Sequence, residues 1–234
     1  MRYSPEFDRF ACRGSAAAIQ QQEVIGGFLG AGSGKWAVGP GAGSMSGNGL
    51  TVSPVTCLGS FSKLSDTWMW MWDDPDFGWA DPATAPLRMI YEVGEQLDIA
   101  EFTTGGFSLA EFADPGQAAT TLAVAAGRVL GGRGVWGCGI DDGDGVAFVH
   151  LGDESLPAAE FSPISAPRLL LQAVVAFPAD PRSVVLGFAE HYRLKLELDP
   201  ERIVLYGDCG SVTIDFDDRG RIVRCESDST PAGD

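Results

Sequence analysis

The chain has 234 residues, 45% of them apolar and 21% charged, enough material for one large domain or two small ones. That excludes a chain disordered throughout and a disulfide-stapled miniprotein. Its 32 acidic residues against 16 basic ones give a formal charge of −16, the wrong sign for a surface that neutralises phosphates, so no nucleic-acid partner is expected.

Helix starts are legible, because a capping side chain followed by Pro satisfies one orphan N–H and needs no donor at the next position. Ser4-Pro5 opens the first predicted helix, whose Phe7, Phe10, Ala17, Ile19, Val24, Ile25 and Phe28 recur at helical spacing until Gly26-Gly27 and the glycine-rich stretch 30–34 stop it. Trp36 and Val38 suggest a short strand, and Asn48-Gly49 is a turn dipeptide. Leu50 to Ser62 then runs into Thr67 to Trp72 across Lys63-Leu64-Ser65-Asp66, a long hairpin. Asp81-Pro82 opens a helix with Leu87, Ile90, Tyr91 and Leu97 on its apolar stripe, and Asp114-Pro115 opens another with Ala118, Leu122, Ala125, Ala126 and Val129, closed by Gly131-Gly132.

Val135 to Ile140 and Val146 to Leu151 flank the acidic loop 141–145 as a second hairpin. The run Leu169 to Phe177 fits a short helix and a buried strand equally. Asp180-Pro181 opens a helix carrying Val184, Val185, Phe188 and Tyr192. Leu194 to Leu198, Ile203 to Tyr206, Ser211 to Phe216 and Arg221 to Cys225 read as a meander. Short hairpin connections force antiparallel neighbours, so the fold class is α+β: an antiparallel sheet built from hairpins with helices packed on it, plus a smaller C-terminal helix-and-meander unit. The prolines of the span 158–178 mark it as a connector between a main domain (1–157) and the end unit (179–226), with a disordered polar tail at 227–234.

Met1 to Phe10 lacks the apolar stretch of a secretory signal, and Leu169 to Phe177, interrupted by Gln172, is less than half a bilayer span. A cytoplasmic protein without membrane attachment is expected. Cys12, Cys57, Cys138, Cys209 and Cys225 are scattered and form no C-x-x-C pair, so reduced thiols are expected and no metal or cofactor.

Trp68-Met69-Trp70-Met71-Trp72 is the most unusual segment. On a strand, alternation places three indoles on one face and two thioethers on the other, so the strand is predicted to be central and covered twice. The loop 73–80 that follows holds Asp73, Asp74 and Trp79 and is the better place for exposed function. The stretch Leu58-Gly59-Ser60-Phe61-Ser62, the polar turn, Thr67 to Trp72 and the helix through Leu87 resemble an uncharacterised bacterial domain-of-unknown-function family marked by a W-x-W-x-W strand. The likeness covers residues 4–152, with Asp74-Pro75 where that family has Asn-Pro, and it implies a fold and no activity.

Other motifs fail on context. Before Lys35 a phosphate loop needs a glycine where Leu29 stands, and after it Ser or Thr where Trp36 stands. Asp215, Asp217, Gly220 and Glu226 echo a calcium loop, yet Arg219 occupies a ligand position and strand-like flanks favour a hairpin turn. Only His150 and His191 offer an imidazole base, and no nucleophile elbow accompanies them.

Two functions stand. The first is a non-enzymatic protein-binding module whose acidic surface receives a basic protein, in the manner of an immunity protein that neutralises a basic toxin. The second is a small-ligand binder or enzyme whose cleft is lined by Trp72, Asp73, Asp74, Trp79 and His150. The oligomeric state is not legible.

Overall fold

The computed structural model describes residues 2–30, 36–38 and 43–229. Its contacts gather in two units, residues 1–7 with 21–158 and residues 8–20 with 159–234. Helix α1 (Pro5–Leu29) contributes to both. The Ser4 hydroxyl accepts the Phe7 N–H at 3.1 Å, and the helix runs through Gly26-Gly27, the first of the two glycine signals for its stop, to the second. It ends at Gly30, which adopts φ 72° and donates its N–H to the Gly26 carbonyl. Ile25 and Leu29 are fully buried, and that packing outweighs a glycine penalty of about 1 kcal/mol per residue.

The first unit holds two antiparallel sheets. Strands β1 (Ala37–Val38), β2 (Met45–Gly47) and β3 (Leu50–Val52) pair in that order. Asn48 and Gly49 join β2 to β3 with φ of 51° and 77°, the two positive values that a two-residue hairpin turn of the right twist requires. The sequence reads Leu50 to Ser62 as one arm of a hairpin. The structure divides it at Ser53-Pro54, because proline has no N–H for the ladder.

Strand β4 (Val55–Ser62) opens the larger sheet, with β5 (Thr67–Trp70), β6 (Gly106–Ser108), β7 (Val135–Ile140) and β8 (Gly145–Leu151) in the order β6-β5-β4-β8-β7. Helices α2 (Arg88–Leu97) and α3 (Pro115–Leu130) complete the unit. Helix α3 buries Ala118, Ala119, Leu122 and Ala126 and packs on β4, β7 and β8. On the opposite face, Val55, Cys138, Val149 and Leu151 share a core with Met45 and Val52 of the small sheet and with Ile25 and Leu29. The central strands are therefore covered twice, and each large apolar side chain so buried contributes about 2 kcal/mol. Of the stripe assigned to α2, Leu87 and Ile90 are buried, whereas Leu97 is half exposed.

The second unit holds α4 (Ala166–Ala176), α5 (Pro181–His191), residues 8–20 of α1 and a meander of β9 (Lys195–Leu198), β10 (Arg202–Gly207), β11 (Gly210–Phe216) and β12 (Ile222–Ser229), ordered β12-β11-β10-β9. The span assigned to a connector carries α4, whose Ala166, Leu169, Leu170 and Ala173 are buried. Pro167 sits in its first turn, where a proline starts a helix instead of breaking one. Ser227 to Ser229, assigned to the tail, pair with β11 as the end of β12. Ile203, Leu205, Val212, Ile214 and Phe216 form the buried face of the meander. Gly187 on α5 lies so close to the Arg13 backbone of α1 that no Cβ fits between them, and an Arg13–Glu190 ion pair closes the crossing at 2.9 Å.

Candidate functional site

The tryptophan run starts in the β4–β5 ladder. Gly59 faces Trp70 on one side and Phe148 on the other. A Cβ at Gly59 would collide with the Met69 carbonyl oxygen and stand 3.0 Å from Trp68 Cζ2. The missing side chain is thus the room that the Trp68 indole occupies on its way to Phe148, 5.6 Å between centroids. Trp68 and Trp70 meet edge to face at 5.0 Å, and the Trp70 Nε1–H donates to the Glu101 carbonyl at 2.9 Å.

Alternation would carry Trp72 along the same strand, but β5 ends at Trp70 and Met71–Asp73 form a 3-10 turn. That turn swings the Trp72 indole over Trp70, 4.6 Å away and within 9° of parallel. The loop then doubles back. Asp74 Oδ1 accepts the Asp76 N–H at 2.9 Å, Gly78 takes φ 68°, and Trp79 lands on Trp72 at 5.0 Å and 8°. Asp81 caps a 3-10 turn at Pro82–Leu87 by accepting the Ala83 N–H at 2.8 Å. The buried Thr84 hydroxyl bonds back to the Gly78 and Asp81 carbonyls. From α2, Tyr91 meets Trp72 and Trp79 edge-on at 89° and 85°, and the Arg88 guanidinium lies 5.0 Å over Trp79.

The result is one stack from core to surface: Trp70, Trp72, half-buried Trp79 and exposed Arg88. Each ring pair contributes about 1 kcal/mol beyond its burial, and the cation over Trp79 a similar amount at most. The rings are in direct contact, so no planar ligand fits between them.

The segment that carries the stack is acidic along the sequence. Residues 64–127 carry eleven carboxylates and one base, Arg88. Asp73 and Asp76 are exposed beside the stack, and Glu92, Glu95 and Asp98 are exposed on or at the end of α2. Among the described residues Arg88 makes no ion pair; its partners are the Trp79 ring and, at 3.5 Å, the Trp79 carbonyl.

The structure brings Trp72 and Trp79 together, with Asp73 and Asp74 in the loop between them, and places His150 elsewhere. His150 is buried on β8, its ring against Gly127, Gly132 and Gly152. Its Nε2 lies 2.6 Å from the Gly131 carbonyl oxygen at the end of α3, so Nε2 carries the proton and donates. Burial holds its pKa below the ordinary value, against the opposing effect of that hydrogen bond. Sequence reasoning missed Arg88 and Tyr91 as members of the stack. The signal for Arg88 was its isolation among acids; Tyr91 was visible only as one more apolar position on a helix stripe.

The remaining motifs resolve as structure. Asp217 accepts the Arg219 and Arg221 N–H groups and pairs with the Arg221 guanidinium, while Asp215 pairs with Arg202 and Glu226 with Arg224. The calcium-like spacing is therefore a hairpin turn closed by arginines. Lys63 donates its N–H to Asp144 and its ammonium to Gly143, both at 2.8 Å, across the acidic turn. Burial pushes the Cys57 and Cys138 thiols up to about 11, which leaves them protonated. Lys35 and the glycines before it fall outside the described residues, apart from those through Gly30. Among the described residues no group of three His, Cys, Asp or Glu side chains is placed to hold a metal, and no helix is long and apolar enough to cross a membrane.

Fold and site define an α+β protein of antiparallel sheets with a tryptophan stack opening onto an acidic surface. The chain belongs to the family of unknown function DUF6882, whose model matches residues 8–154. That match contains the whole stack and ends just after β8, so α4, α5 and the meander lie beyond it. No curated protein and no solved structure matches the chain.

Proposed function

We propose that this chain is a protein-binding module and that its Trp79–Arg88 face, with the carboxylates around it, receives a basic partner protein. The observation that supports this is Arg88 itself, the one base in the acidic segment 64–127, lying on the Trp79 indole. The surface thus already holds a guanidinium in the way it would hold an arginine or lysine of a partner. Excess negative charge speeds encounter with a cationic surface and excludes acidic competitors, and the half-buried Trp79 ring at the end of the stack adds an aromatic contact that charge alone lacks. An immunity-type protein that neutralises a basic toxin has this design.

The test is capture from an extract of the native cell at low and high salt, with wild-type protein, Trp79→Ala and Asp76→Lys as baits. The expected result is a basic protein retained at low salt, released at high salt, and retained less by both variants. Recovery of no basic protein, or retention that ignores both substitutions, overturns the proposal. Quenching of tryptophan fluorescence by a metabolite or nucleotide, lost in Trp79→Ala, would assign the face to a small ligand instead.

A further inference from the structure

Strand β9 is the terminal strand of its sheet, and all four of its residues, Lys195, Leu196, Glu197 and Leu198, are exposed. An edge strand of this kind presents a row of N–H and C=O groups ready to pair. Which groups point outward follows from the turn to β10. Asp199 and Arg202 exchange both backbone hydrogen bonds, N–H of Asp199 to O of Arg202 at 2.8 Å and the reverse at 3.3 Å. Alternate residues face the same neighbour, so Glu197 and Lys195 bond to β10 while Leu196 and Leu198 turn their N–H and C=O outward.

The side chains divide just as sharply. Leu196 and Leu198 stand opposite Leu205 and Ile203, on the buried face of the meander, yet remain 42% and 58% exposed. Lys195 and Glu197 stand opposite Tyr206 and Val204 on the other face. Glu197 accepts the Tyr206 hydroxyl at 2.8 Å, and Lys195 makes no ion pair among the described residues.

This edge is complementary to itself. If a second β9 lies antiparallel about a two-fold axis through Leu196, Leu196 faces its own copy and each Lys195 faces a Glu197 of the second copy. The outward N–H and C=O groups of Leu196 then bond across the axis, and the exposed leucines cover one another. A register centred on Glu197 instead sets two carboxylates directly opposite, which is unfavourable. The other edge of the sheet lacks the pattern: on β12, Arg224 and Glu226 already pair with each other, and Cys225 and Ser227 stand where β9 has leucines.

We propose that the chain self-associates through β9, the two meanders joining into one eight-stranded antiparallel sheet about a two-fold axis at Leu196. Such an isologous contact closes on itself and gives a dimer, not a filament. It joins few residues per copy, so the dimer is weak and concentration-dependent. It involves only the second unit and does not rest on the partner proposed for the Trp79 face.

Sedimentation velocity of the full chain over a wide concentration range tests it. Wild-type protein dimerises as concentration rises; Lys195→Glu or Glu197→Lys alone weakens the dimer roughly tenfold, since each turns two attractive pairs into repulsive ones. The double variant restores it. A monomer at every concentration, single variants without effect, or a double variant that fails to recover overturns the proposal. Circular dichroism of each variant separates loss of pairing from loss of fold. Independently, Leu196→Cys in a Cys209→Ser background forms a disulfide-linked dimer on air oxidation, because facing residues of an antiparallel pair lie within disulfide range. Ser227→Cys in the same background does not. No cross-link at position 196, or equal cross-linking at both positions, counts against β9 pairing.

Discussion

The Trp68 ring lies directly across Gly59, its Cζ2 3.0 Å from where a glycine Cβ would stand. The paired strands interlock by absence: β4 omits one side chain, and β5 fills the space with an indole that reaches Phe148. Because both strands feed the stack toward Trp79, this interlock sets where the candidate surface begins.

Gly59→Ala is expected to destabilise the protein by about 3 kcal/mol, the upper range for a forced extra methyl. The obstructing atom is the Met69 carbonyl oxygen, part of the ladder itself, which cannot swing aside. Urea unfolding should place the variant well below Gly139→Ala, a control on β7 where a Cβ meets nothing within 4 Å. Equal midpoints for the two would refute the interlock.

Gly187→Ala and Gly27→Ala should move stability in opposite directions. Both glycines are helical, and local propensity favours alanine by about 1 kcal/mol at either. At Gly27 a Cβ meets open space, so the gain is realised. At Gly187 it runs into the Arg13 backbone across the α1–α5 crossing, and the helices must part. Thermal melts of the two variants decide this, and stabilisation by Gly187→Ala would contradict the close approach.

His150 makes stability depend on pH in a defined window. Burial lowers its folded pKa below the ordinary value near 6.5, so below that value the unfolded chain binds the proton more readily than the folded one. The stabilising contribution is complete above about pH 6.5 and is lost as pH falls toward the folded pKa, with a slope of at most about 1.4 kcal/mol per pH unit. Denaturant unfolding between pH 8 and pH 5 should show this slope in wild-type protein and in His191→Gln, and a flatter profile in His150→Gln. An unchanged slope in His150→Gln would remove the imidazole from this role.

Much of the fold was legible because its signals are short-range. Ser4, Asp114 and Asp180 each cap a helix by accepting an N–H three residues on, and Asn48-Gly49 makes its hairpin turn by backbone preference alone. The α1 stop lies at Gly30, the start of the glycine-rich stretch that signals it, while burial of Leu29 carries the helix past the weaker signal at Gly26-Gly27. The break at Pro54 was missed because an apolar run does not say which sheet it joins. Trp72, Asp73, Asp74 and Trp79 were legible as neighbours in one loop; His150 was grouped with them although its hydrogen bond ties it to the end of α3.

From its sequence alone this protein is an acidic α+β chain of capped helices and antiparallel hairpins, because caps, turns and alternation are contacts between residues a few positions apart. Only the tertiary structure decided that Trp70, Trp72, Trp79 and Arg88 form a single column edged by Tyr91, and that residues 8–20 group with the C-terminal unit. Those arrangements depend on where a strand stops and how tightly a loop reverses. Both are set by the room that neighbouring elements leave, a quantity no residue carries by itself.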